Sequence, residues 1–373
     1  MKKEEILLEL KQLLFAKKLN TQEVKEINKI LQTCYEEELR PNKKKIYLIN
    51  FLYSFWNYDN SEYIQNKVLH GQRIGRRYCY EQIRMIKYWK YFFSEDKTID
   101  SITPEELVEF ERFLKRITTQ HGKPLRNETI NNIIKCGKGA LKWAVKKQYI
   151  SHNPCDCLTS FSIHHRERGL LSSCELRKLF RQGLWSDIRV KAASMLSVCS
   201  GMRIGEILAL RKCDIDEKYI YVNHSWGAMF GLTPPKNGFT RKIPLYPEIK
   251  EILTKLINSN PHEEFYKTDN AYIFWGISNL RPASDDLIRK GFYKALTTIG
   301  ISEEERRKRN IVFHSWRHYH ATELTSRCNE HSAQVVLGHL TPLMTKHYSN
   351  HRTDRDLENV RKAMLPVVKS VFS

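Results

Sequence analysis

Three short segments carry side chains suited to chemistry on a phosphate. The first, Ser200-Gly201-Met202-Arg203-Ile204-Gly205-Glu206, sets Arg203 at the entry to a helix whose Ile207, Leu208 and Leu210 should face a core. The second is His314-Ser315-Trp316-Arg317-His318, where His314 and Arg317 are three apart and share a helix face. The third is Leu337-Gly338-His339, followed nine positions on by Tyr348. A fourth candidate lies between two β-runs at 219–225 and 240–246. There Thr233-Pro234-Pro235-Lys236-Asn237-Gly238 contains Asn-Gly, a strong hairpin signal, so Lys236 should stand at the tip of a β-turn. Taken singly, each residue has a bland reading: a surface arginine, a hydrogen-bonded structural histidine, a tyrosine on a core rim.

Together these residue types suit the breaking of a phosphodiester. In-line attack needs a nucleophile opposite the leaving oxygen and builds charge on the non-bridging oxygens. A tyrosine hydroxyl has a reference pKa of about 10 and is a weak nucleophile at neutral pH unless its surroundings are strongly positive. Guanidiniums stay protonated and can bond the non-bridging oxygens in bidentate fashion. The only acid in these segments is Glu206, better placed to orient Arg203 or to pack locally than to hold a metal.

In this order the motifs resemble the tyrosine recombinase family, also called phage integrases. That family carries an arginine in a Thr/Ser-Gly-x-Arg-x-x-Glu setting, a hairpin lysine, His-x-x-Arg, Leu-Gly-His, and a tyrosine about nine residues later. The corresponding residues are Arg203, Lys236, His314, Arg317, His339 and Tyr348, and the likeness covers about 170–360. Lys242 is a rival for the lysine, but the family's lysine precedes a basic-basic-apolar-Pro strand, and Arg241-Lys242-Ile243-Pro244 favours Lys236. Trp316 stands where the family more often has leucine, a packing change.

The resemblance implies a site-specific DNA recombinase with Tyr348 as nucleophile, and with Arg203, Arg317 and His339 on the phosphate. His314 would handle the tyrosine proton or hold the phosphate, and Lys236 would protonate the departing 5′ oxygen. It implies a 3′-phosphotyrosine intermediate rejoined without ATP, no cofactor, and no metal. Integration or excision of a mobile element is the expected use. Alternatives are a host resolvase of chromosome or plasmid dimers, a catalytically silent DNA-binding protein, and a metal-dependent nuclease built on His314, His318 and His320.

The rest of the chain must position these groups. A length of 373 residues suits two or three domains. The net charge of +20 points to a polyanionic partner. Residues 1–40 are charge-neutral, with 8 Lys/Arg against 8 Asp/Glu, so the excess spreads evenly over the two larger stretches that follow. That suits two domains touching a phosphate backbone. Nine cysteines without Cys-x-x-Cys, no opening apolar leader and no long apolar run suggest a reduced cytosolic protein with no membrane contact; the resemblance to DNA recombinases implies a bacterial, nucleoid-associated one.

Residues 1–40 read as an amphipathic helix, and 41–75 has no assignable fold. Tyr80, Ile83, Ile86, Tyr88 and Trp89 mark a helix, and Thr103-Pro104-Glu105-Glu106 a capped start. A third helix runs over 128–148 with Lys135, Lys138, Lys142 and Lys146 outward; with Arg76 and Arg77 these are the candidate DNA-binding residues. Segment 151–168 reads as a linker. The expected fold is mainly α: an N-terminal extension at 1–70, a helical core-binding domain at 71–160, and an α+β catalytic domain with a small β-sheet at 161–373. The family's form is a clamp around duplex DNA. Leu357, Val360, Met364, Leu365, Val368 and Val371 form an amphipathic tail, in the plainer reading a terminal helix packed on its own domain, which in the family often docks on a neighbouring subunit. A homo-tetramer on DNA, with accessory DNA-bending or excision factors, is therefore expected.

Overall fold

The computed structural model describes residues 12, 22–27, 29, 45–120, 122–163, 166, 168–181, 185–235, 238, 240–278, 280–327 and 354–372. Lys236, His339 and Tyr348 lie outside the described residues, as does most of the helix expected over 1–40. The chain divides into two compact units, 1–163 and 164–373.

Unit one is helical: α1 (Leu48–Trp56), α2 (Glu62–Leu69), α3 (Arg76–Phe92), α4 (Pro104–Arg116) and α5 (Asn127–Lys146). The start of α4 is set as its sequence requires. Thr103 and Glu106 exchange side-chain to backbone hydrogen bonds, and Pro104 occupies the first turn.

The division at residue 70 is corrected. Leu48, Leu52, Phe55, Trp56 and Ile64 are buried in the same core as Ile86, Trp89, Ile133 and Leu141. The aromatic run that resisted assignment is consumed by ring contacts: Phe55 lies on Tyr63 at 4.4 Å, and Trp56 meets Tyr78 at 5.6 Å. Tyr80, expected on the apolar face of α3, is exposed, and Cys79 and Gln82 take the buried positions. Part of the expected linker also belongs here. Cys155 in the short turn Pro154–Cys157 is buried, and Asn131 exchanges side-chain bonds with the backbone of Phe161.

Two tryptophans fasten α5 to its neighbours. The indole of Trp56 donates to the Cys136 carbonyl (3.2 Å), and that of Trp89 to the Ile133 carbonyl (2.9 Å). Gly137 permits this approach, because a Cβ there would overlap the Trp89 ring.

Unit two contains α6 (Ser173–Arg181), α7 (Ile188–Ser200), α8 (Ile204–Leu208), α9 (Pro247–Asn258), α10 (Asp285–Thr298), α11 (Glu303–Lys308), α12 (Ser315–Arg327) and α13 (Asp354–Phe372). Helix α7 is buried nearly all round and is the axis of the core, touching α9, α10 and α12. Trp316 is part of this core, 4.9 Å from Phe292.

The β-structure differs from one simple hairpin. Strand β1 (Tyr219–Val222) pairs antiparallel with β4 (Arg241–Pro244), and a smaller hairpin of β2 (Ser225–Gly227) and β3 (Gly231–Thr233) lies between them in sequence. The first β-run is interrupted at Asn223 and His224, whose side chains bond Asp214 and Arg211. At the expected turn, the Gly238 N–H donates to the Pro235 carbonyl, and Gly238 has φ +68°.

The tail forms α13, with Leu357, Val360, Met364, Val367, Val368 and Val371 buried in the core of its own unit, against α6 and α12. The apolar positions are thus covered within their own unit, as the plainer reading of a terminal helix has it. No described helix is long and apolar enough to cross a membrane.

Gly137→Ala tests the tight packing of unit one. Overpacking against a buried Trp89 should cost about 1–3 kcal/mol, although alanine is the better helix former. The expected result is a lower melting temperature for the full chain, and an unchanged or raised one would refute the close approach.

Candidate active site

The site is built on the turn after α7. Gly201 ends that helix with φ +63°, the left-handed conformation that glycine adopts without penalty. Ser197 and Ser200, both buried, bond the backbone of Met202 and fix the turn from beneath. Gly201's carbonyl then accepts a 2.6 Å bond from Arg317 Nη1. The turn thus presents Arg203 at the start of α8 and also holds the second guanidinium.

Glu206 anchors the first. Its carboxylate, 2% exposed, accepts from the Arg203 backbone N–H (2.9 Å) and from Arg203 Nη1 (2.9 Å). Arg241, arriving on β4, completes the cage with Nη1 to Oε1 (3.1 Å) and Nη2 to Oε2 (2.6 Å). Burial alone would raise this carboxyl; the charge and hydrogen bonds of Arg241, with those of Arg203, outweigh it and bring the pKa to about 2. Glu206 is therefore fully engaged as an anion and is not a proton acceptor at neutral pH. Arg203 keeps 24% of its side chain exposed, and among the described residues its Nε and Nη2 have no hydrogen-bond acceptor.

Arg317 is 2% exposed. Burial first, then the charges of Arg203 and Arg241, lower its pKa to about 9, which leaves it charged at neutral pH. His314 precedes α12 and keeps an open edge to solvent. Desolvation first, then repulsion from His318, Arg317, Arg203 and Arg168, lowers its pKa to about 4, so the ring is neutral at pH 7. A groove beside it is lined by Arg168, Met202, Ile204, Arg289 and Tyr293.

Of the six expected residues, Arg203, His314 and Arg317 are thus brought together on one turn and one helix start. Sequence reading passed over Arg241 and Arg168. Arg241 had a signal, a basic residue at an inward position of a β-run, but it served only to place Lys236.

The three-histidine metal alternative fails on geometry. His314 and His318 are neighbours, with ring centroids 5.2 Å apart, but His320 is wholly buried and its Nδ1 donates to the Val198 carbonyl. Among the described residues no three His, Cys, Asp or Glu side chains gather as a metal site would require.

The candidate DNA-binding residues of unit one divide. Lys135, Lys142 and Lys146 are exposed along one face of α5, and Arg77 is exposed on α3. Lys138 is tied to Asp156 and the Cys155 carbonyl, and Arg76 to Asp59 with its guanidinium over the Tyr58 ring. A second exposed stripe, not foreseen, runs along α3 through Arg77, Tyr80, Arg84, Lys87 and Tyr91. Its signal was the same helical spacing, hidden because Tyr80 was counted as core.

Comparison with known proteins bears on both units. Residues 171–355 match the phage integrase family and residues 52–162 the phage integrase SAM-like domain. The ICEBs1 integrase of Bacillus subtilis (strain 168) is 23% identical over 171 residues, a match that spans 44% of this chain and 44% of that relative. Among solved structures, the Tn1549 transposon integrase in complex with a circular intermediate DNA aligns with a TM-score of 0.61 at 20% identity, covering 86% of this chain and 99% of that one. A lambda integrase tetramer bound to a Holliday junction aligns with a TM-score of 0.56 at 19% identity, covering 84% and 87%.

The histidines give the fold a pH dependence. His314 and His320 are both held at about 4 in the folded chain, whereas an unfolded histidine titrates near about 6.5. Between those values the unfolded chain binds more protons, so stability is lost as pH falls through that window. Glu175 and Glu206, held at about 2, act lower, losing their contribution only as pH drops below the ordinary carboxylate range. Urea unfolding from pH 7 to 4.5 should show falling stability, with a shallower slope in His314→Asn. An equal slope in that variant would contradict the depressed His314.

Proposed function

Because the chain belongs to the phage integrase family, we propose that it is a site-specific DNA recombinase that breaks and rejoins duplex DNA through a 3′-phosphotyrosine bond to Tyr348. The observation that carries this reading is the pair of guanidiniums, Arg203 and Arg317, held in place before any DNA arrives: Arg203 by Glu206, Arg317 by the Gly201 carbonyl. Donors already fixed where charge develops need no reorganisation during the reaction.

In the proposed step Tyr348 Oη attacks phosphorus, a P–O(Tyr) bond forms, and the P–O5′ bond breaks. Arg203 and Arg317 bond the non-bridging oxygens, and His339 donates a third bond. His314, neutral at pH 7, can take up the tyrosine proton or stay bonded to the phosphate. Lys236 supplies the proton to the departing 5′ oxygen. Attack by another 5′-hydroxyl reverses the sequence and releases Tyr348, so bond energy is conserved and neither ATP nor metal is required.

Mobile-element integration or excision is favoured over host dimer resolution by the relatives, which include a transposon integrase. A tetramer is proposed on the same basis, from the lambda integrase tetramer. Since α13 is folded into its own unit, subunit contacts in such a tetramer would come from other surfaces, or from release of that helix. Arg77, Lys135, Lys142 and Lys146, with the α3 stripe, are the proposed phosphate contacts of unit one. Accessory DNA-bending or excision factors would act with such an assembly.

The test is a nicked duplex from the junctions of the element that carries the gene, incubated with protein in chelator and run on a denaturing gel. A covalent protein–DNA band that disappears in Tyr348→Phe is the expected result. A band that persists in that variant, or one that requires added divalent metal, would overturn the mechanism.

A further inference from the structure

We propose that Arg241 is a positioning residue for DNA cleavage: through the buried Glu206 carboxylate it sets Arg203 for the phosphate and ties that setting to the strand following the Lys236 turn. This inference rests on the recombinase reading of the same site.

Arg241 is 5% exposed, so it can reach neither solvent nor a phosphate on the surface. Its guanidinium meets Glu206 edge to edge, with two bonds of 3.1 and 2.6 Å across 35 residues of chain. Such a bidentate pair fixes both the position and the rotation of the carboxylate. The rotation matters because each carboxylate oxygen has a second duty: Oε1 receives Arg203 Nη1 and Oε2 receives the Arg203 backbone N–H. With Arg241 present, Glu206 has one fork-shaped partner and can spare a single oxygen for the Arg203 side chain. Without it, the buried carboxylate has Arg203 as its remaining cation, and the low-energy answer is to take both Arg203 Nη groups. The fork that should face a phosphate would then turn inward.

Charge points the same way. Arg203, Arg241 and Arg317 surround one carboxylate, and Arg241 contributes to the field that depresses Arg317. Removing it lowers the positive charge available to a developing phosphorane. Arg241 also opens β4, three residues beyond Gly238, and pairs in register with Val222. The strand that follows the Lys236 turn therefore starts from a residue pinned to the Arg203 anchor.

The experiment compares wild type, Arg241→Met and Arg241→Lys in single-turnover adduct formation at saturating nicked duplex. One substrate carries the ordinary scissile phosphate and the other a methylphosphonate, in which a neutral methyl replaces one charged oxygen. Melting temperature and DNA affinity are recorded for each protein. Loss of a fixed charge-stabilising donor costs about 100-fold in rate, and that is the loss expected for Arg241→Met on the phosphodiester. It should shrink to below about tenfold on the methylphosphonate, where less charge must be met by Arg203. Arg241→Lys keeps the charge without the fork and should be intermediate, which supplies the answer if Arg241→Met fails to fold. A wild-type rate in the folded variants, or an equal loss on both substrates, overturns the proposal and leaves Arg241 a purely structural ion pair. Absence of adduct from the wild-type chain overturns the recombinase reading itself, and this inference with it.

Discussion

One buried carboxylate governs the site. An ionised glutamate removed from water is costly unless its lone pairs are met by good donors, and removing one partner of such a group leaves an uncompensated charge. Glu206 is met by four donors from two arginines. That condition links the turn after α7, the short helix α8 and strand β4 into one unit, since each supplies or positions a group that the carboxylate needs. Arg317 joins from α12 through the Gly201 carbonyl. Three segments distant in sequence, 201–208, β4 and the start of α12, thus converge because one charge and one carbonyl must be satisfied.

The electrostatic result is a close cluster of positive groups. Like charges in close proximity are unfavourable, and the depressed values of Arg317 and His314 express that cost. A phosphodiester relieves it by placing negative charge among the guanidiniums, most of all when that charge is concentrated in the transition state. The Gly201 carbonyl on Arg317 and the Glu206 carboxylate on Arg203 and Arg241 restrain the cations from relaxing apart. His314 lies at the rim of this field, neutral until an anion raises its affinity for a proton.

The legible part of this design was local in sequence. Ser-Gly-x-Arg-x-x-Glu and His-x-x-Arg each sit on one turn, so residue type and spacing sufficed to find Arg203, Glu206, His314 and Arg317, and a helical pattern sufficed for α4 and α5. What spacing could not give was contact between distant segments. The Glu206–Arg241 pair spans 35 residues and has no local signature. The helices at 48–69 were hidden because their aromatics serve several neighbours at once, so no single periodic face emerges. The tail's amphipathic pattern was legible as a helix, but spacing alone could not choose its partner, because an apolar stripe fits its own core as readily as another subunit.

The central claim is that this preset cluster serves a tyrosine nucleophile. The most direct measurement is mass spectrometry of the trapped protein–DNA adduct after nuclease and trypsin digestion. The account predicts a nucleotide joined through its 3′-phosphate to Tyr348, in the peptide His347-Tyr348-Ser349-Asn350-His351-Arg352. A nucleotide on any other residue, or a linkage through a 5′-phosphate, would contradict it.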